Sequence, residues 1–194
     1  MLEKIFKTAI ILTLSMSLFS CKKDKEEKPS YNEENFLETY LTATRFNESP
    51  TDFINKGDYE FGLEFTPIVK GKITSLHVKL PDVNTAVRIT IWDKVAGLVL
   101  RTETVNIPTP NIVFNFDISD LELTKDKQYS ITMNTNDWYE RRRTDKKTIT
   151  YPITAGNIKI DNYIWSSGTT QTYPSKIDNS YYAGDLSFSF LQMD

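Results

Sequence analysis

From residue 59 onward the chain is written in a two-residue rhythm. Tyr59, Phe61, Leu63 and Phe65 alternate with Glu60, Gly62 and Glu64, which predicts a strand with one apolar face and one wet face. Gly71 marks a turn, after which Thr74, Leu76, Val78 and Leu80 alternate up to the breaker Pro81. Val87, Ile89 and Ile91 repeat the pattern, a strand is predicted near Leu98–Val105, and Ile112, Phe114, Phe116 and Ile118 form another. Tyr129, Ile131 and Met133 do the same, Ile158–Ile164 does so more weakly, and Leu186, Phe188 and Phe190 come last. That makes about eight to ten strands at roughly the 8–12-residue spacing of all-β sandwiches, with no long amphipathic helix to build a parallel sheet. Upstream, Ser30 and Glu33 have the form of a capping box, and Phe36, Leu37, Tyr40 and Leu41 follow at helical spacing. One short helix, or an irregular segment leading into a strand near Leu41–Phe46, is expected there.

The first residues carry a different pattern. Lys4 and Lys7 precede an uncharged, largely apolar run from Ala9 to Phe19, too short for the ~20 residues that cross a bilayer but right for the core of a secretory signal. The sequence Leu18-Phe19-Ser20-Cys21 resembles the bacterial lipobox, with Phe19 larger than the usual residue at its place. The resemblance implies cleavage before Cys21, a lipid on its thiol, and an acylated amino terminus; two or more acyl chains anchor a protein stably. Cys21 is the single cysteine, so no internal disulfide is possible. Residues 22–32 are charged with no apolar residue before Tyr31, which predicts a flexible tether. This charged stretch also resembles the surface-export signal of Bacteroidota lipoproteins. The expected organisation is a signal peptide (1–20), a lipidated Cys21 with its tether (21–35), and one β-sandwich domain (36–194). The expected location is the cell envelope, as an outer-membrane lipoprotein open to the cell surface.

Within the strand region, several segments together resemble a bacterial extracytoplasmic domain family of unknown function. They are Phe61-Gly62-Leu63-Glu64-Phe65-Thr66-Pro67, Gly71-Lys72-Ile73-Thr74, Val87–Trp92, Gly97-Leu98-Val99-Leu100-Arg101-Thr102 and Leu123–Ile131. The resemblance implies a single antiparallel, jelly-roll-like β-sandwich and an association with secreted glycan-related proteins. These motifs are turns and core positions, so they speak to fold rather than to activity.

The chain has 194 residues, 39% of them hydrophobic, 12% aromatic and 25% charged, with a formal net charge of −3. That is too apolar for disorder and lacks the basic field of a nucleic-acid binder, so no nucleic-acid partner is expected. The single histidine, His77, excludes a multi-histidine metal cage, and its place opposite Leu76 and Val78 puts it on the solvent side of its strand. No nucleophile elbow, P-loop, dinucleotide fingerprint or zincin motif is present. No carboxylate sits in an obviously apolar setting that would raise its pKa for acid catalysis. The protein therefore reads as no enzyme, with no cofactor and no metal. Asn134–Asp137 and Asp82–Asn84 place oxygens at cation-like spacing, but Asn and Asp in turns bond their own backbone.

Candidate chemistry concentrates in the third quarter and beyond. Trp138, Tyr139 and Arg141 follow a strand, and Tyr151, Tyr163, Trp165, Tyr173, Tyr181 and Tyr182 come later among Gly-, Ser- and Asn-rich segments. Aromatic rings in polar loops favour recognition, because they bring apolar area at low entropic cost and stack on sugar rings. Trp138, Tyr139, Arg141, Trp165 and Tyr173 are the expected ligand-binding residues. Two readings stand: a recognition surface, or rings that plug the end of the sandwich. Arg141–Arg143 with Lys146 and Lys147 read as a charged hairpin loop offset by Glu140 and Asp145. The expected function is a non-catalytic binding module for glycan or another surface ligand, or else an interaction subunit of an outer-membrane protein complex.

Overall fold

The computed structural model describes residues 29–193. The signal peptide (1–20), Cys21 and the tether as far as residue 28 lie outside the described residues. Strand β1 (Glu34–Asn35) and helix α1 (Leu37–Thr44) lead to β2 (Ser49–Phe53). The alternating segments then form β3 (Tyr59–Pro67), β4 (Gly71–Val78), β5 (Asn84–Asp93), β6 (Leu98–Ile107), β7 (Phe114–Leu123) and β8 (Tyr129–Thr135). They are followed by β9 (Trp138–Arg142), β10 (Ile153–Ala155), β11 (Ile158–Ser167), β12 (Lys176–Asp178), β13 (Tyr182–Ala183) and β14 (Leu186–Gln192).

Two antiparallel sheets face each other. The larger has the order β10-β11-β3-β8-β5-β6, with β12 also on β11; the smaller has the order β1-β14-β4-β7. A third sheet, β13-β9-β2, pairs with no strand of either. The chain passes from β3 in the larger sheet to β4 in the smaller, returns for β5 and β6, crosses for β7 and comes back for β8. This shuttling gives the all-β, antiparallel sandwich that the alternation predicts.

The period of two explains the core. Phe61, Leu63 and Phe65 of β3, Ile89 and Ile91 of β5, and Ile131 and Met133 of β8 turn inward and are buried. Leu76, Val78, Phe188 and Phe190 come from the other layer, and the Phe65 and Phe188 rings meet across the gap at 5.0 Å. A register shift between Ile73 and Ser75 makes Ile73 the inward residue of β4 and leaves Thr74 half-exposed, where strict alternation had Thr74 inward. Of the two alternatives for this segment the helix forms, as α1, and not the strand near Leu41–Phe46, but the helix does not start from the capping box. Glu34 and Asn35 pair with Phe190 and Ser189, so that backbone is committed to the sheet and the helix starts later. Phe36 caps it with no side-chain bond, the Asn35 carboxamide oxygen accepts from the Leu37 N–H, and Glu33 instead accepts from the Thr74 hydroxyl. The tether boundary drawn after residue 35 therefore falls inside the folded sheet.

The expected wet face of β3 is the largest departure. Glu60 and Glu64 are 1% and 4% exposed. Arg88 of β5 reaches Glu60 at 2.6 Å while the Thr132 hydroxyl donates to its other oxygen, and Trp92 Nε1 donates to Thr132 at 3.0 Å. Glu64 accepts from Lys94 (2.6 Å), Asn162 (2.7 Å) and the Tyr173 phenol (2.7 Å). The connection between β11 and β12 lies over this face: Arg88 donates to the Thr169 carbonyl, Asn134 to the Gly168 carbonyl, and Gln171 to the Thr90 and Thr102 hydroxyls. Buried carboxylates persist when charge and hydrogen bonds compensate them, and each of these two has both.

Candidate functional site

Strand alternation sorts the expected ligand-binding residues onto different surfaces. Trp138, Tyr139 and Arg141 belong to β9, not to a loop. In a strand neighbouring side chains point apart, so Trp138 and Glu140 take one face and Tyr139 and Arg141 the other. Trp138 and Tyr139 are both buried.

On the first face, Trp138 stacks on Phe53 at 5.3 Å with the planes 5° apart, and meets Tyr59 and Phe61 edge-on at 5.2 and 5.8 Å. Trp165 reaches the same place because β11 pairs Trp165 with Phe61 of β3, which puts both on the inward side. Tyr59, Phe61, Trp138, Glu140, Tyr163, Trp165, Tyr181 and Ala183 line a cleft of about 170 Å3 where the larger sheet meets the β13-β9-β2 sheet. This is below the ~300–1,000 Å3 of drug-sized sites and suits a single ring-sized group. Two cations sit on the aromatic rings at its rim. Lys176, cross-strand from Trp165, holds its ammonium 4.2 Å from that ring, and the Arg142 guanidinium lies 4.8 Å from the ring of Tyr181. Burial pushes the Tyr181 phenol up to about 12, with Asp178 adding to the shift.

On the second face, the Tyr139 hydroxyl donates to Asn111, and its ring lies 5.0 Å from the Lys79 ammonium and 5.9 Å from the Arg141 guanidinium. Burial raises the Tyr139 phenol above its ordinary value. Arg141 grips Asp185 through Nε and Nη2, both at 2.5 Å, and this bond raises its own pKa further. Tyr173 belongs to neither face. It lies on the outside of the larger sheet, edge-on to Trp92 at 5.6 Å, with its phenol raised chiefly by burial.

No family model and no curated protein matches this chain. What it does must be read from its own surfaces.

The structure thus unites Trp138 with Trp165 and separates them from Tyr139, Arg141 and Tyr173. Tyr59 and Tyr181 complete the aromatic cleft without having been singled out as binding residues. Tyr59 carried a signal, since it extends the inward face of Phe61 one step beyond the end of the core. His77 is half-buried, its ring nitrogens within reach of the Asn115, Ser75 and Ser189 side chains. Among the described residues no group of three His, Cys, Asp or Glu side chains is placed to hold a metal ion. Asn84 donates to Thr135, Asn136 and Asp137, so the oxygens of that turn serve its own hydrogen bonds. No helix of the described residues is long and apolar enough to cross a membrane.

The basic run is neutralised locally: Arg142 pairs with Glu140 at 2.6 Å and Arg143 with Asp145 at 2.6 Å. Glu48 ties this loop to the end of α1. The Thr144 backbone N–H, then Arg45 and the Thr144 hydroxyl, hold its carboxyl at about 2 against an ordinary 4.5. A carboxylate depressed by folding stabilises above its unfolded pKa and stops doing so as pH falls through the folded one. The tie is therefore intact at neutral pH and is lost between about pH 4.5 and 2. An NMR acid titration following the Thr144 amide will show this loop release, and Glu48→Gln will abolish the transition.

Proposed function

We propose that this protein is a cell-envelope lipoprotein, held to the outer membrane through an acylated Cys21, whose sandwich is a non-catalytic binding module for glycan. The observation that carries this reading is the convergence of Trp138 and Trp165, distant in sequence, with Tyr59 and Tyr181 on one open cleft. Flat rings bind the C–H face of a sugar, while Glu140, Lys176 and the tyrosine hydroxyls offer hydrogen bonds around its edge. A ring-sized cleft fits a terminal or side-branch residue of a larger glycan. The lipid attachment rests on the lipobox-like Leu18–Cys21 and the lone thiol.

Titration with a glycan panel is expected to quench tryptophan fluorescence saturably, and Trp165→Ala should weaken the best ligand by about tenfold or more, the worth of one stacked ring. A folded protein indifferent to the whole panel would refute the glycan reading. Cys21→Ser is expected to move the protein from the membrane fraction to the soluble envelope fraction, and unchanged membrane association would refute the anchor.

A specific observation supports a second reading, an interaction subunit. The ten-residue strands β6 and β7 are both sheet edges, and Leu98 and Leu100 of β6, with Ile112 and Val113 just before β7, are exposed. Unpaired edges with apolar flanks accept a strand from a partner. Crosslinking in cells would then recover one stoichiometric envelope protein, and charged substitutions at Leu98 and Leu100 would abolish its capture.

A further inference from the structure

A cavity of about 550 Å3, larger than the aromatic cleft, opens between α1 and the outer face of the smaller sheet. Its size falls within the usual range of small-molecule sites. The helix wall is apolar, formed by Leu37 and Leu41 of α1, while Val113, which is more than half exposed, lines the sheet side next to Lys79. The sheet side carries two cations and one carboxylate, Lys79, Arg141 and Asp185. Lys79 lines it with no carboxylate in ion-pair range among the described residues. Beside it Arg141 is locked by Asp185, which occupies Nε and Nη2 and leaves Nη1 without a protein partner among the described residues. A guanidinium oriented by a buried carboxylate keeps its free N–H edge in place, and the Lys79 ammonium, which shares the Tyr139 ring with it, adds a second positive charge. Asp185 balances the charge of Arg141, so Lys79 supplies the net positive charge of this side. The other lining carboxylate, Glu38, stands on the helix wall and is exposed.

We propose that this cavity is a binding site for a small organic monoanion, with its carboxylate on Lys79 and Arg141 Nη1 and its apolar body against Leu37, Leu41 and Val113. Glu38 across the cavity disfavours a second negative charge, so a monocarboxylate is preferred to a dicarboxylate of equal length. The site is independent of the aromatic cleft and of the glycan reading.

The dye 8-anilinonaphthalene-1-sulfonate, an anion on an apolar body, is the first probe, and octanoate the competitor. Dye fluorescence should rise on binding and fall on addition of octanoate, while octyl glucoside and octanedioate at equal concentration displace far less. Lys79→Met should weaken octanoate by about fivefold to tenfold, the worth of one charge-assisted contact, with the melting temperature unchanged. Val113→Glu, an exposed substitution, should weaken it similarly by placing a negative charge beside Lys79, where it competes with the ligand carboxylate. Absence of dye enhancement, equal displacement by octyl glucoside, or unaltered octanoate affinity in Lys79→Met would each overturn the proposal. Tryptophan quenching by glycans reads the other cleft, so its success or failure leaves this result untouched.

Discussion

Gly62→Ala is expected to abolish the folded protein. Gly62 lies in the middle of β3, paired with Ile164 on one side and Thr132 on the other. A Cβ there would stand 1.9 Å from the Ile131 carbonyl oxygen and 2.7 Å from the Thr132 Cα. Both are backbone atoms of a central strand, so relief would require prising β8 from β3 and breaking the ladder. Ordinary overpacking by a methyl group costs about 1–3 kcal/mol, when neighbouring side chains can turn aside. Here none of the obstructing atoms can do so, and the penalty exceeds about 4 kcal/mol, a large part of a typical domain's stability. Soluble yield and a thermal melt measure it. Gly97→Ala is the control: its Cβ meets nothing within 4 Å, and only its left-handed φ of +66° is strained. That variant should fold with a loss of about 1 kcal/mol. Equal behaviour of the two variants would show that β3 and β8 are not packed as described.

Arg88→Met should destabilise the protein by about 3–5 kcal/mol, the usual penalty for stranding one partner of a buried pair. Glu60 would keep the Thr132 hydroxyl but lose the one cation paired with it among the described residues, in a position that is 1% exposed. The bond from Arg88 to the Thr169 carbonyl goes as well, loosening the segment laid over the sheet. Adding Glu60→Leu removes the stranded charge, so the double variant should recover much of the loss. A urea-denaturation double-mutant cycle measures both effects. A single Arg88→Met variant as stable as the parent would mean that water, not arginine, compensates Glu60.

These two positions mark what could be read along the chain. The inward set of β3, β5, β8 and β14 was legible because one buried face leaves a period of two regardless of what lies elsewhere. The outer face of β3 was not. Glu60 and Glu64 alternate with apolar residues as solvent-facing acids would, and what buries them is supplied by Arg88, Lys94 and the Gly168–Tyr173 segment, all remote in sequence. The aromatic region was half legible. Trp138 and Trp165 do meet at one cleft, but the sequence also groups Trp138 with Tyr139, because Asn136, Asp137 and the arginine run resemble a loop. Once β9 is a strand paired with β2 and β13, adjacent residues must part company, and the patch divides between two faces. The larger cavity left no local trace, since its walls come from α1, the segments beside β4 and β7, β9 and the start of β14.

One consequence concerns mechanical load. Tension reaching the sandwich from the upstream chain arrives at β1, which is held to β14 by only two rungs, together with the Glu34 contacts to the Asn157 amide and the Asn35 bond to Ser187. That short clasp is the first to yield under a pull. Immediately behind it, Phe36 and Tyr40 are wedged among Phe188, Phe46 and Tyr182, so a tug that undoes the clasp meets an aromatic stop before it can unravel the layers.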